Sequence, residues 1–246
     1  LLQMNTNVLE ACRLNQVKKV VFTSSIGAYA PAEVFKESEG KDGEPMDLFP
    51  GWAKRMGEMQ IQAYRIEHGL TNFAVVRPGN IYGPGDTFDP LNAMVIPTLM
   101  HRIFHGEDPL RVWGDGSAIR DFAYSKDVAK GVILALHFGT DSGFVNLGSG
   151  NGYSIRELVE TLNSFIPFKY EFDTTKSSGF SRRVMDISLA RQTLGYEPET
   201  SLLEGLKKTW EWFLENPYEY SEKKNYLKDQ EFPPLPVQTG PSRPAR

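Results

Sequence analysis

VKKVVFTSSIGAYA (residues 17–30) and, further on, PGWAKRMGEMQIQAYRIEHG (residues 50–69) decide how the rest of the chain is read. Residues 19–25 form a Val/Phe-rich run, apolar on both faces, as expected of a central strand in a parallel sheet. The run delivers a serine pair, Ser24 and Ser25, at its C-terminal end. The second segment changes to helical spacing over 52–68, and Gly69 after it suits the turn that stops a helix. Lys54 falls in the first turns of that helix.

Working outward, residues 4–16 place Val8, Leu9, Ala11, Cys12 and Leu14 on one helical face. FAVVRPGNIYG (73–83) is the next buried strand, ended by Gly and Pro signals. A helix over 92–105 puts Val95, Ile96, Leu99 and Ile103 on one side, and LRVWGDG (110–116) reads as a short strand and turn. A helix over 126–138 precedes FVNLGSG (144–150), a strand running into a glycine-rich turn. Ser154 and Glu157 have the spacing of a capping box for a helix reaching Phe165. Ser201 and Glu204 repeat that spacing before a helix over 201–215. Alternating strands and helices predict an α/β protein with a parallel sheet.

The 246 residues allow one large domain or two small ones, and 40% hydrophobic with 24% charged residues is ordinary for a globular protein. A net charge of −4 and a pI near 5.7 argue against a nucleic-acid partner or a charged membrane surface. No stretch approaches the roughly 20 apolar residues of a membrane span, and no secretory leader is visible. The single cysteine, Cys12, excludes an intrachain disulfide framework and suits a reducing cytoplasm; its place in a helical pattern marks it as a small core residue. His68, His101, His105 and His137 lie in helical patterns without metal-ligand company, so no metal site is expected. Beyond Pro217 the chain turns proline-rich and polar; residues 217–246 read as a tail, disordered from 232 on, whose composition also fits a polyproline-type ligand.

Seven landmarks recur in a family's order: TSSIGAY (23–29), the Lys54 helix, RPGNIYGPGD (77–86), VWGDGSAIRDFAYSKDVA (112–129), NLGSGNGYSIRELVETL (146–162), the arginine run ending at Asp186, and LGYEPETSLLEGLKKTWEWF (194–213). Over residues 5 to about 216 the chain resembles the extended short-chain dehydrogenases/reductases, the NAD-dependent epimerases and dehydratases of nucleotide sugars. Within that family, VIPTLMHR (95–102), the VWGDG strand and the FDTTKSSG and RRVMD segments look most like the GDP-L-fucose synthase branch. The resemblance implies a partial Rossmann-type parallel sheet with a smaller C-terminal substrate-binding α/β subdomain. Residues 1–86 and 126–150 fall to the NAD(P)-binding part, and 87–125 and 151–216 to the substrate-binding part. The family's opening strand, Gly-rich turn and helix, which hold the dinucleotide pyrophosphate, have no counterpart here. The expectation is that about 80 residues of a family member lie upstream of Leu1, and that the strand at 19–25 exposes an apolar face and edge without them.

The resemblance also assigns roles. Ser25 stands where the catalytic hydroxyl stands, four residues before Tyr29, and Lys54 where the catalytic lysine stands. Thr23, Lys54, Pro78 and Ile81 fall at cofactor positions for NAD or NADP. Asn80, Arg102, Trp113, Arg120, Arg182, Arg183 and Asp186 fall at positions contacting a nucleotide-diphosphate sugar, GDP- or UDP-hexose. Arginine suits that task because its planar fork bonds phosphate oxygens in pairs. Helix faces at 4–16 and 52–68 would pair in a homodimer.

At four catalytic positions the chain departs from the family. The tyrosine four residues before the lysine is Pro50, which has no ionisable group and no N–H but suits a helix start. Tyr29 and Tyr82 are the candidate replacements for its phenol. Ile26 and Gly27 stand where the 4,6-dehydratases carry Asp and Glu, and Gly27 and Met94 where the fucose-synthase branch carries Cys and His. Two functions follow: an NAD(P)-dependent nucleotide-sugar epimerase/reductase with an altered site, or a non-catalytic nucleotide-sugar-binding or interaction subunit on the same scaffold.

Overall fold

The structure, a computed structural model, describes residues 1–140 and 143–217; the expected tail at 217–246 lies outside them apart from Pro217. In chain order the helices are α1 (Leu2–Leu14), α2 (Leu48–His68), α3 (Val95–Phe104), α4 (Ser125–Phe138), α5 (Ile155–Asn163), α6 (Ser188–Leu194) and α7 (Leu202–Glu215). The strands are β1 (Val20–Thr23), β2 (Val34–Phe35), β3 (Phe73–Pro78), β4 (Asn80–Tyr82), β5 (Leu110–Trp113) and β6 (Ile119–Arg120). They continue with β7 (Phe122–Tyr124), β8 (Val145–Leu147), β9 (Tyr153–Ser154), β10 (Tyr170–Asp173) and β11 (Arg182–Met185).

The apolar runs identified from sequence make one parallel sheet in the order β1-β3-β8, with Val20 opposite Phe73 and Val76 opposite Val145. Every residue of β3 is buried, which is why its run reads as continuous rather than alternating. A second sheet, β2-β11-β6-β9, is parallel except for the β6–β9 pair, and two further parallel pairs join β4 to β7 and β5 to β10. The fold is α/β with parallel pairing dominant. β1 is an edge strand: among the described residues only β3 pairs with it, and Thr23 at its end is exposed.

Two apolar cores form. Leu9, Phe73, Val76, Val145 and Leu147 build the first, joined by Met185, Ile187, Leu194 and Tyr196. Phe88, Ile96, Met100, Leu110, Leu158, Leu162, Leu206 and Phe213 build the second. Cys12 packs against the first core as a part-buried side chain.

Caps explain several boundaries. Ser154 and Glu157 form the reciprocal capping box of α5, and Ser201 accepts from the Glu204 amide to start α7. Gly69 stops α2 with φ 64°, a conformation that glycine adopts without a Cβ clash. α2 begins at Leu48, earlier than the 52 expected, because the Asp47 carbonyl accepts from the Gly51 amide at 2.7 Å and Pro50 fits inside the first turn. α3 begins at Val95 rather than 92, because Met94 is extended.

Candidate functional site

α2 reaches the end of β1 by sliding over the turn at 26–28. A Cβ built on Gly51 would lie 2.3 Å from the Gly27 carbonyl oxygen, and one on Gly57 would lie 2.4 Å from Phe22 Cζ. Glycine at both positions brings helix and strand together. One turn beyond Gly51, Lys54 Nζ donates to the Thr23 carbonyl at 2.7 Å. Lys54 thus ends two residues from Ser25 along the chain. Ser25 is itself positioned by its own turn, its Oγ accepting from the Gly27 amide at 3.0 Å. Burial lowers the Lys54 ammonium below the usual lysine value, and no carboxylate pairs with it among the described residues.

Beneath this face runs a buried polar network. Ser24 Oγ donates to Glu58, and Glu58 takes two hydrogen bonds from Arg77, Nε to Oε1 at 2.8 Å and Nη2 to Oε2 at 2.7 Å. Arg77 is wholly buried, its guanidinium over the Phe144 and Tyr29 rings at 3.8 and 4.3 Å. The Tyr29 hydroxyl donates to Asn146 Oδ1 at 2.8 Å. Burial pushes its pKa above the ordinary phenol value. Tyr82 is buried in the second core, its hydroxyl toward the Leu202 carbonyl, and its pKa is likewise raised by burial. Neither phenol is available at the Ser25–Lys54 face. Pro50 is exposed in the first turn of α2, beside an 81% exposed Phe49.

A cleft of about 710 Å³ opens against the second core, its wall including Tyr82, Ile96, Leu99, Val112 and Phe122. Asn80, Arg102, Trp113, Arg120 and Arg183 line it, with Ile81, Met94 and Ser178. Ser25 and Lys54 are not among its lining residues. Arg120 and Arg183 are paired across neighbouring strands, and burial first, then the like charge of Arg183, lowers the pKa of Arg120. Arg120 donates to the Ile119 and Ser178 carbonyls. Arg183 stacks on Phe180 at 3.9 Å, and its buried Nε has no hydrogen-bond partner. Trp113 is 66% exposed and presents a ring at the cleft's edge.

Arg102 and Asp186 are held by other partners, and Arg182 lies outside the cleft. Arg102 lies on the wall, but its guanidinium is held in a two-bonded pair by Glu107 and by the Arg111 carbonyl. Arg182 is outside the lining, since neighbours in β11 point to opposite faces. Asp186 is also outside it, its carboxylate accepting from the Ser188 amide at the start of α6. Pro78 is buried at the end of β3, opposite Leu147. The glycine-rich turn at 146–152 is an internal anion cradle. Ser149 N, Gly150 N and Ser149 Oγ all donate to the buried Asp121 carboxylate, which also takes the Met185 amide. Among the described residues no His/Cys/Asp/Glu group has the makings of a metal site, and no helix is long and apolar enough to cross a membrane.

A parallel sheet with a serine and a lysine at one strand end, together with an arginine-lined cleft, is the architecture of the Rossmann-like epimerases and reductases. The chain belongs to the NAD dependent epimerase/dehydratase family, whose profile matches residues 2–148. It is 37% identical over 226 residues to GDP-L-fucose synthase 1 of Arabidopsis thaliana, covering 87% of this chain and 69% of that one. Among solved structures it resembles a GDP-L-fucose synthetase from Naegleria fowleri bound to NADP (TM-score 0.79, 27% identity, 90% of this chain and 71% of that one). It also resembles the UDP-glucose 4-epimerase of Thermotoga maritima with UDP-glucose (TM-score 0.73, 31% identity, 87% and 69%).

The cofactor of this family is NAD or NADP. The residues present fit one end of it. Lys54 spends a single donor on Thr23 and has others to offer ribose hydroxyls beside the open end of β1. The glycine-rich turn at 146–152 does not fit the pyrophosphate, because its Ser149 and Gly150 amides are already committed to Asp121.

Proposed function

We propose that this chain is an NAD(P)-dependent nucleotide-sugar epimerase/reductase with an altered proton-transfer site, and that its cleft takes a GDP- or UDP-hexose. The observation that carries the reading is the Arg120–Arg183 pair. Two adjacent guanidiniums repel each other, and one holds a buried N–H without a partner. A diphosphate supplies what both lack. Trp113 gives the nucleobase a ring to lie on, and the sugar is directed toward Ser25.

NAD(P), when bound, accepts or gives the hydride at the hexose carbon. The Ser25 hydroxyl donates to the sugar oxygen that gains or loses a proton. Lys54 holds the nicotinamide ribose and favours negative charge on nearby oxygens. Among the described residues neither candidate phenol completes this set, since Pro50 is inert and Tyr29 and Tyr82 are bonded elsewhere. That last observation favours a second reading, a nucleotide-sugar-binding subunit without turnover.

Calorimetric titration of GDP- and UDP-hexoses tests the shared premise. Binding that weakens at least about tenfold in Arg183→Ala supports it, and no binding of either at millimolar concentration overturns it. Sugar-dependent turnover of NAD(P)H that is lost in Lys54→Ala selects the enzyme; sugar binding without turnover selects the subunit.

A further inference from the structure

We infer that Asp47 is a sugar-recognition residue, its carboxylate accepting hydrogen bonds from hexose hydroxyls between the Ser25 turn and Arg183. The inference rests on the reading of the cleft as a nucleotide-sugar site. Asp47 is the N-cap of α2, a position where aspartate ordinarily accepts from the amide two or three residues on. Here it makes no such bond. The residue three on is Pro50, which has no amide hydrogen to give. Proline at the position of the family's phenol thus removes one of the two amides that could cap, and the other, that of Phe49, gives the carboxylate no bond either.

That side chain turns over the catalytic face. A Cβ built on Gly27 would lie 2.1 Å from Asp47 Oδ2 and 2.8 Å from its Cγ, so the carboxylate fills the space that a side chain at 27 would take. Gly27 is the residue whose amide holds the Ser25 hydroxyl. On the other side, Asp47 is near enough to Arg183, a cleft residue, to favour its charged form. It reaches no ion pair with it, and no described residue hydrogen-bonds its carboxylate. An exposed, unengaged carboxylate between a placed hydroxyl and a placed guanidinium is suited to adjacent sugar hydroxyls, because its two oxygens accept from both at once.

The test compares UDP-glucose and GDP-mannose with UDP and GDP by calorimetry on the whole chain. In Asp47→Ala the sugar nucleotide is expected to bind roughly 10-fold to 100-fold more weakly, with nucleoside diphosphate affinity unchanged. Asp47→Asn, which keeps one acceptor oxygen, should fall between. Gly27→Ala, which leaves the charge but occupies its place, should show the same selective loss. The melting temperature of Asp47→Ala should move little, because no cap bond is lost and only an exposed charge at the helix start is removed. Unchanged sugar-nucleotide affinity in Asp47→Ala overturns the inference while leaving the cleft reading intact, as does an equal loss for diphosphate and sugar nucleotide. Failure of the parent chain to bind any of the four overturns both.

Discussion

Glu58 and Arg77 meet through two parallel hydrogen bonds at 2.8 and 2.7 Å, with Arg77 wholly out of solvent. The pair joins α2 to β3 directly beneath the serine turn, and Ser24 is its third member. Removing one partner leaves a buried charge uncompensated, which costs about 3–5 kcal/mol. Arg77→Ala and Glu58→Ala should each lower unfolding stability by that order in urea titration. The double variant should cost clearly less than the two singles summed.

Gly51 permits the contact that carries Lys54 to Thr23. Alanine there would normally favour a helix by about 1 kcal/mol. The added methyl would meet the Gly27 carbonyl and Pro45 Cβ, neither of them the end of a flexible side chain that could yield. Gly51→Ala is therefore expected to destabilise by about 1–3 kcal/mol, the usual range for overpacking. Chemical denaturation measures it directly.

Arg183 and Arg182 are adjacent in β11 but face opposite ways. Arg183→Ala and Arg120→Ala should each weaken sugar-nucleotide affinity about 10-fold to 100-fold, as loss of charge-assisted bonds predicts. Both losses should shrink as salt screens the parent's attraction. Arg182→Ala should leave affinity within about twofold. Calorimetry at two ionic strengths separates these outcomes.

Lys54 carries a pH signature. Burial holds its folded-state pKa below the ordinary value of about 10.4. Below the lowered folded pKa the folded chain keeps a disfavoured charge, so Lys54 subtracts from stability there. As pH rises through the folded pKa toward the unfolded one, the unfolded chain binds more protons and stability recovers. The stability of the parent relative to Lys54→Met should therefore rise as pH climbs from 7 toward 10, read from melting temperatures across that range.

Pro50→Tyr restores a phenol four residues before Lys54, one helical turn away. The ammonium should lower that phenol's pKa below the usual value near 10. An added phenolate band at lower pH than the native tyrosines, abolished by Lys54→Met, is the expected ultraviolet titration. No additional low-pH band would mean that the helix turns residue 50 away from the lysine.

The sequence carried the sheet and its helices because β3 and β8 are buried on both faces and the Ser154 and Ser201 caps are local devices. β2 was not visible: Val34–Phe35 is too short to show a period, and only its pairing with β11 makes it a strand. In the candidate site, the run at 23–29 and Lys54 are marked by their spacing and by the family resemblance. The choice between Arg182 and Arg183 is not, since alternation along a strand is certain but its phase depends on the neighbouring sheet. Asp186 and Arg102 have the right chemistry, and only the positions of Ser188 and Glu107 reveal that it is used internally. Asp47 left one trace, an aspartate three residues ahead of a proline at a helix start. Its meaning needs the distance to Gly27.

The outer margin of β1 presents Val20–Thr23 with a single neighbour among the described residues. Such a margin is a template for any extended peptide, including the same strand of another molecule. Handled alone, this chain should thus lose solubility by strand-to-strand growth, limited by concentration more than by heat. A proline or a charge placed at Val21 would act on that growth before it acted on the cleft.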